Sequence, residues 1–188
     1  MKALAISGSA RARGNTHLLL EKALEPVAEA GIETQIISLH GRTILPCNAC
    51  RRCAEEKNRC VLDDDFQEVF ALMREADALL LGSPVYFGSA SPILMALIDR
   101  AGYVAYNGDN VFRRRVGAAV VVARRAGVNF TLAQILFFFL ILGMVVPGST
   151  YWPIAYGRER GEVAGDEEGL RTALELGRNI AWLLERLR

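Results

Sequence analysis

Ala3-Leu4-Ala5-Ile6-Ser7-Gly8-Ser9-Ala10-Arg11-Ala12-Arg13-Gly14-Asn15-Thr16 decides how the rest of the chain is read. It opens as a short apolar run of strand type, stopped by Gly8. It ends in hydroxyls, an amide and guanidinium groups, and behind it Leu18, Leu19, Leu20, Ala23, Leu24 and Val27 recur at helical spacing as far as Gly31. Strand, polar loop and helix in that order put a set of anion donors at a helix start, where free amides and the helix dipole attract negative charge. Ser9, Arg11, Asn15 and Thr16 are the candidate donors to a phosphate, and Gly14 lets the backbone approach it closely. The loop lacks both the GxGxxG fingerprint and a P-loop motif, which argues against a dinucleotide or a P-loop nucleotide. Taken alone, the stretch also reads as an ordinary turn with Asn15 or Thr16 capping the helix.

The alternation continues downstream. Residues 33–39 read as a second strand, followed by a cysteine-bearing loop and a helix opening near Asp64 and Asp65, whose carboxylates suit the positive helix end. Residues 76–81 predict a third strand, 91–103 a helix, 116–123 a strand buried on both faces, 132–142 an apolar helix, 144–146 a last strand and 167–187 an amphipathic helix. Strands alternating with helices imply right-handed crossovers, hence a doubly wound, five-stranded parallel sheet with helices on both faces, the flavodoxin-like α/β class. In such sheets ligands sit at the carboxyl ends of the strands, so chemistry is expected in the strand-to-helix loops.

Composition agrees with one such domain over residues 1–188: 52% of the chain is hydrophobic, enough for a sizeable core. Twenty-two basic residues against 21 acidic ones give no overall field for nucleic acid or an anionic membrane. The longest apolar run, residues 135–146, falls short of the roughly 18–20 residues a bilayer needs, and reads as a buried helix entering a strand or as part of an oligomer interface. The apolar stretch at the N-terminus is too short for a signal-peptide core, so the mature chain is expected to begin here and to reside in the cytoplasm.

The third predicted strand runs into a second informative loop, Gly82-Ser83-Pro84-Val85-Tyr86-Phe87-Gly88-Ser89. Pro84, Val85, Tyr86, Phe87 and Gly88 combine backbone donors with apolar and aromatic surface, the needs of a planar ring, although adjacent aromatics also serve as core packing. The segments GSARARGNT, SPVYFGS and the downstream IDR together resemble the NAD(P)H-dependent FMN reductase and iron-sulfur flavoprotein families, over nearly the whole chain. The resemblance implies FMN at the loops after strands one, three and four, with its phosphate on the first and its ring on the others. The third loop departs from the family's usual glycine-rich stretch, offering Arg124-Arg125-Ala126-Gly127-Val128-Asn129-Phe130-Thr131 instead, where the two arginines also read as solvated charges.

All four cysteines, Cys47, Cys50, Cys53 and Cys60, lie in the spacing CxxCxxCx6C within a loop at about residues 46–61. Four clustered thiolates satisfy the ligand count of a [4Fe-4S] cluster, and the spacing resembles the compact motif of iron-sulfur flavoproteins. A structural zinc and unmetallated or disulfide-paired thiols are the alternatives. Arg51, Arg52, Lys57 and Arg59 surround the cysteines, either to offset cluster charge and depress the thiol pKa values or as a solvated basic loop. His17 and His40 read as surface or helix-end residues, and Arg113-Arg114-Arg115 as a solvated turn.

The sequence thus points to an FMN-dependent electron-transfer oxidoreductase that passes electrons between a reduced donor, FMN and a [4Fe-4S] cluster, with no residue assigned as general acid or base. The family resemblance implies an NAD(P)H or ferredoxin-like donor and a homodimer or homotetramer. A plain NAD(P)H-dependent FMN or quinone reductase without a cluster and a noncatalytic flavin redox sensor are the rival readings.

Overall fold

The computed structural model describes residues 1–187. Five parallel strands, β1 (Lys2–Ser7), β2 (Glu33–Ser38), β3 (Ala78–Pro84), β4 (Val116–Ala123) and β5 (Ile154–Tyr156), form one sheet in the order β2-β1-β3-β4-β5. The helices are α1 (Asn15–Glu29), α2 (Phe66–Glu75), α3 (Pro92–Asn107), α4 (Val128–Ile141) and α5 (Glu167–Arg186). The sheet order is the flavodoxin-like one, with the change in winding direction between β1 and β3.

Period-two alternation along the central strands builds two cores. Leu4, Ile6, Leu79, Leu81 and Val121 pack with α2, α3 and α4 on one face. Ala3, Ala5, Leu80, Val120 and Val122 pack with α1 and α5 on the other. α1, which carries the first loop, is set by α5: a Cβ on Gly177 would fall 2.0 Å from the carbonyl oxygen of Ala23, so only glycine lets the two helices approach this closely.

The last strand is not where the sequence pattern predicts it. Val145 makes one parallel bridge to the start of β4, its amide donating to the Arg115 carbonyl (2.8 Å) and its carbonyl accepting from Gly117 (2.9 Å). Pro147 then has no amide to continue the ladder, and the chain leaves the sheet until Ile154 pairs with Val121. Strand β5 is therefore Ile154–Tyr156, and the apolar stretch 144–146 only abuts the sheet. Strand β3 also runs to Pro84, beyond its expected end, so the second loop begins on a strand terminus.

Candidate functional site

The loop between β1 and α1 is held at its stem by backbone hydrogen bonds to both neighbouring strands: Gly8 donates to the Gly82 carbonyl (2.8 Å) and Leu39 to that of Ser7 (2.9 Å). Ser9 Oγ accepts from the Arg11 amide (3.1 Å), and the Gly14 amide closes the turn on the Arg11 carbonyl (3.2 Å). A Cβ on Gly14 would stand 3.1 Å from Arg11 Cβ and 3.3 Å from Ser9 Oγ, tight enough to spread the turn. Gly14 is the N-cap, so no side chain caps the helix, neither Asn15 nor Thr16 taking that part. The first amide to find a helical acceptor is that of Leu18, on the Gly14 carbonyl (3.1 Å), which leaves the amides of Asn15, Thr16 and His17 as donors without an intrahelical partner. Ser7 Oγ, buried at the strand end, also has no partner.

The second loop meets the first. Ser9, Arg11, Asn15 and Thr16 line a single cleft of about 230 Å³ together with Pro84, Val85 and Tyr86. Val85 is tied to β4 through the Val122 carbonyl (2.9 Å), and Tyr86 and Ser89 exchange two backbone bonds (2.8 and 3.0 Å). Those bonds close a two-residue turn on Phe87 and Gly88, both at positive φ (52° and 81°), with the Phe87 side chain fully exposed at its tip.

Two more segments wall the cleft: the third loop, whose Arg124 the sequence offers as a cofactor contact or a solvated charge, and one that the sequence pattern does not disclose. Arg124, at the end of β4, and Gly157 with Arg158, after β5, complete the lining, which then holds three arginines and no carboxylate. The loop 157–161 is fastened to the first loop at several points. Asn15 Nδ2 donates to the Glu159 carbonyl (2.8 Å) and its Oδ1 accepts from the Gly161 amide (2.8 Å), so both ends of the Asn15 amide are engaged and its side chain is a clamp. Arg11 Nη1 donates to the Arg158 carbonyl (3.0 Å), and Arg160 Nη2 to that of Ala12 (2.7 Å). The amides of Glu159 and Arg158 hold the Glu162 carboxyl below the usual carboxylate range. A Cβ on Gly157 would stand 2.8 Å from Asn15 Nδ2, so a larger residue would push the clamp open. A last strand at 144–146 would put its following loop well upstream of Arg158, whereas β5 ends at Tyr156, two residues before it. His40, expected at the surface, sets its Nδ1 2.8 Å from the Ala10 carbonyl of the first loop, while Arg125 lines a separate hollow of about 690 Å³ beside Phe130, Tyr151 and Trp152.

The four cysteines come together elsewhere, on the walls of a cavity of about 360 Å³ shared with Arg100, Tyr103 and Asn107 of α3. All four thiols are free; Cys47 and Cys50 are exposed, Cys53 and Cys60 half-buried against the core. Among the described residues, no group of three or more His, Cys, Asp or Glu side chains is arranged to hold a metal ion as the chain stands. Burial pushes the Cys53 thiol up, and the negative charge of Cys47, Cys60 and Cys50 adds to the shift. The surrounding cations do not reverse it: Arg52 is paired with Glu55 (3.4 Å) and Glu56 (2.9 Å), and Arg59 with Glu56 (3.7 Å). Asp64, expected only to cap α2, does accept from the Phe66 amide (3.1 Å) but also forms a buried ion pair with Arg100.

The model of the NADPH-dependent FMN reductase family matches residues 1–159. An iron-sulfur flavoprotein of Methanocaldococcus jannaschii is 42% identical over 188 residues, covering 96% of each chain. One from Methanosarcina thermophila is 32% identical, covering 98% of this chain and 96% of its own. Among solved structures, a WrbA-like flavodoxin protein of Agrobacterium tumefaciens superposes with a TM-score of 0.71 at 15% identity, covering 100% of this chain and 99% of its own. An NAD(P)H:quinone oxidoreductase of Methanothermobacter marburgensis gives 0.71 at 19%, covering 96% of each. At those identities the structures speak for the fold, whereas the family match and the curated relatives carry the rest: the chain belongs to the NADPH-dependent FMN reductase family and is an FMN-dependent oxidoreductase.

Proposed function

We propose that one domain carries both FMN, anchored in the arginine-lined cleft, and a [4Fe-4S] cluster held by Cys47, Cys50, Cys53 and Cys60, and that the protein relays electrons from a reduced donor through the two. The observation that carries this reading is the convergence of all four thiols on one cavity, separate from the anion cleft. When bound, FMN accepts hydride and gives up electrons singly, and the cluster exchanges one electron at a time.

The residues present fit both groups. The uncapped amides of Asn15, Thr16 and His17, the hydroxyls of Ser9 and Thr16, and Arg11, Arg124 and Arg158 form a donor set for a phosphate dianion. Asn15 holds the 157–161 loop in place rather than lending its side chain to the phosphate. In the second loop the amides of Val85, Tyr86 and Ser89 are already engaged, which leaves those of Phe87 and Gly88 to donate to a ring edge, with Pro84, Val85 and Tyr86 as its apolar backing. On the cysteine side, four cysteines on the walls of one cavity match the ligand count of a [4Fe-4S] cluster, whose iron would offset the thiolate charge once bound.

The donor is NADPH, NADH or a ferredoxin-like protein, and the protein works as a homodimer or homotetramer. Self-association is supported by α4, which is apolar on nearly every side and leaves Phe137 and Ile141 exposed beside Tyr103 and Tyr106 of α3, with Leu140 exposed as well. A helix of that composition is ordinarily covered all round. No helix among the described residues is long and apolar enough to cross a membrane.

Anaerobic purification followed by a visible spectrum and flavin, iron and sulfide analysis tests the reading. Stoichiometric FMN with about four irons and four sulfides per chain is expected; flavin without iron and sulfide sinks the cluster and leaves the plain reductase. Stopped-flow reduction by NADH, NADPH and reduced ferredoxin identifies the donor, and failure of all three turns the reading toward a sensor.

A further inference from the structure

The bulkiest fully buried side chain of the protein is an arginine, Arg100, 1% exposed in the middle of α3. Its guanidinium lies over the Phe66 ring, 4.2 Å from the centroid. It donates to both oxygens of Asp64 and, through Nη1, to the Leu45 carbonyl (3.1 Å). Leu45 and Asp64 are the two ends of the cysteine loop. They are joined to each other by the Leu45 amide on Asp64 Oδ2 (2.7 Å). One step further out, the Thr43 amide donates to Asp65 Oδ2 (2.6 Å) and the Asp65 amide to the Thr43 carbonyl (3.0 Å). One side chain thus fastens both ends of the loop to α3.

Holding a loop does not require a buried charge, since well-packed apolar residues close such contacts as well or better. What distinguishes Arg100 is its other neighbour. It lines the cavity of the four cysteines, Cys60 among them, together with Tyr103 and Asn107. Two carboxylate oxygens and one carbonyl do not use up five N–H donors, and Nε is buried without a partner. An unpaired N–H in a buried guanidinium is costly unless an acceptor completes it; as the chain stands none bonds to Nε, and the cavity that Arg100 lines is shared with Cys60.

Resting on the cluster reading above, we propose that Arg100 is a positioning residue of the cysteine site: it pins the loop ends and donates a remaining N–H to the sulfur of Cys60. The hydrogen bond and the positive charge raise the reduction potential of the group the thiolates hold.

The test compares wild type, Arg100→Lys and the double variant Arg100→Met with Asp64→Asn, all reconstituted anaerobically with ferrous iron and sulfide. The double variant removes both members of the ion pair together, so no unpaired charge is left buried. FMN content reports folding independently, because the flavin cleft shares no residue with the cysteine cavity. Iron content, the midpoint potential followed by electron paramagnetic resonance, and iron release to a chelator are read for each. Both variants are expected to keep FMN; the double variant should show a more negative midpoint potential and release iron about tenfold faster, with Arg100→Lys falling between it and wild type. In addition, wild type labelled with ¹⁵N-arginine is expected to show a ¹⁵N coupling to the reduced cluster that Arg100→Lys labelled in the same way lacks, which separates Arg100 from Arg51, Arg52 and Arg59. Unchanged potential and release rate in variants that carry FMN, or no coupling in the labelled wild type, overturns the role of Arg100. Wild type that takes up FMN but no iron and sulfide overturns the cluster reading itself, and the proposal with it.

Discussion

The anion cleft and the cysteine cavity are built on opposite plans. The cleft is assembled from four strand-end segments already bonded to one another: Gly8 to β3, Val85 to β4, and the loop after β5 to Asn15, Arg11 and Ala12. Beyond its base the cysteine loop is held through side chains rather than a backbone ladder: Asn58 Nδ2 donates to Asp109 Oδ2 (2.8 Å), Asn107 Nδ2 to Cys53 Sγ (3.8 Å) and the Cys60 amide to Gln67 Oε1 (3.2 Å). Between its ends there is one short helical turn, Arg52–Ala54, and three residues with side chains, Ala49, Arg51 and Asn58, sit in the left-handed region. A site fixed by its own backbone is ready before its ligand arrives, whereas thiolates that repel one another depend on the ligand for order.

The widest gap should appear in proteolysis of protein stripped of flavin and metal. Trypsin has targets in both loops, Arg11 and Arg13 in one, and Arg51, Arg52, Lys57 and Arg59 in the other. Local opening controls cleavage, so the cysteine loop is expected to be cut roughly 100-fold faster, a difference that metal loading abolishes. Cleavage of both loops at similar rates, measured by mass spectrometry of timed digests, breaks the contrast.

Asn15→Ala attacks the cleft where it is most cross-linked. The substitution leaves the Gly161 amide without its partner and the Glu159 carbonyl with the Glu162 amide alone (3.2 Å), in a half-buried setting, at about 1–2 kcal/mol of stability. FMN affinity should fall on the order of 10- to 100-fold as Arg158 loses its position, read by flavin fluorescence titration. Arg124→Ala leaves the clamp intact and removes one cation from the cleft lining, so on the proposed reading a fall of about 10-fold without loss of stability is expected, steeper at low salt. Equal effects of the two substitutions would mean that the 157–161 loop contributes nothing beyond charge.

The same asymmetry governs what the sequence disclosed. The fold was legible because the alternation of strand and helix patterns is a local property, and β1, α1, β4 and α5 all follow it. The last strand escaped because β5 has three residues at a sheet edge and is less apolar than the neighbouring stretch 144–146, so position in the sheet overrode pattern. Ser9, Arg11 and Thr16 were visible as polar residues at a helix start; Arg158 was not, because only tertiary structure brings the last loop to the first. The cysteine spacing was plain in the sequence. The burial of Arg100 was not, since it arises from partners 36 and 55 positions away.

Acid separates the two regions more gently. Burial pushes the Asp64 carboxyl up, but the hydrogen bonds from Arg100 and from the Leu45 and Phe66 amides outweigh it and hold the group below the usual range. An aspartate depressed in the folded state stabilises that state fully above its unfolded value of about 3.9, and the contribution is lost as pH falls through the folded value. Asp64→Asn should therefore be less stable than wild type from neutral pH down to about pH 4. The gap in urea midpoints should close below that, while Asn15→Ala keeps a constant deficit. A gap between Asp64→Asn and wild type that persists unchanged to acid pH would show that Asp64 acts by shape alone.

The smallest expected effect sits at the tip of the second loop. Phe87 occupies the first central position of a two-residue turn at φ 52°, a conformation suited to Asn or Gly, and its ring is fully exposed. Strain of this kind in a bulky residue costs on the order of 1 kcal/mol and buries no apolar surface in the chain itself. Phe87→Asn should accordingly raise stability by about 1 kcal/mol in urea unfolding, because the bonds between Tyr86 and Ser89 that define the turn are backbone bonds and remain. If the ring earns its place against the flavin, the same variant loses about 3-fold in FMN affinity, within what one exposed aromatic contact supplies. Greater stability with unchanged affinity would move Phe87 from the flavin to a partner-facing surface, and would leave the cleft's preorganisation resting on its arginines and amides alone.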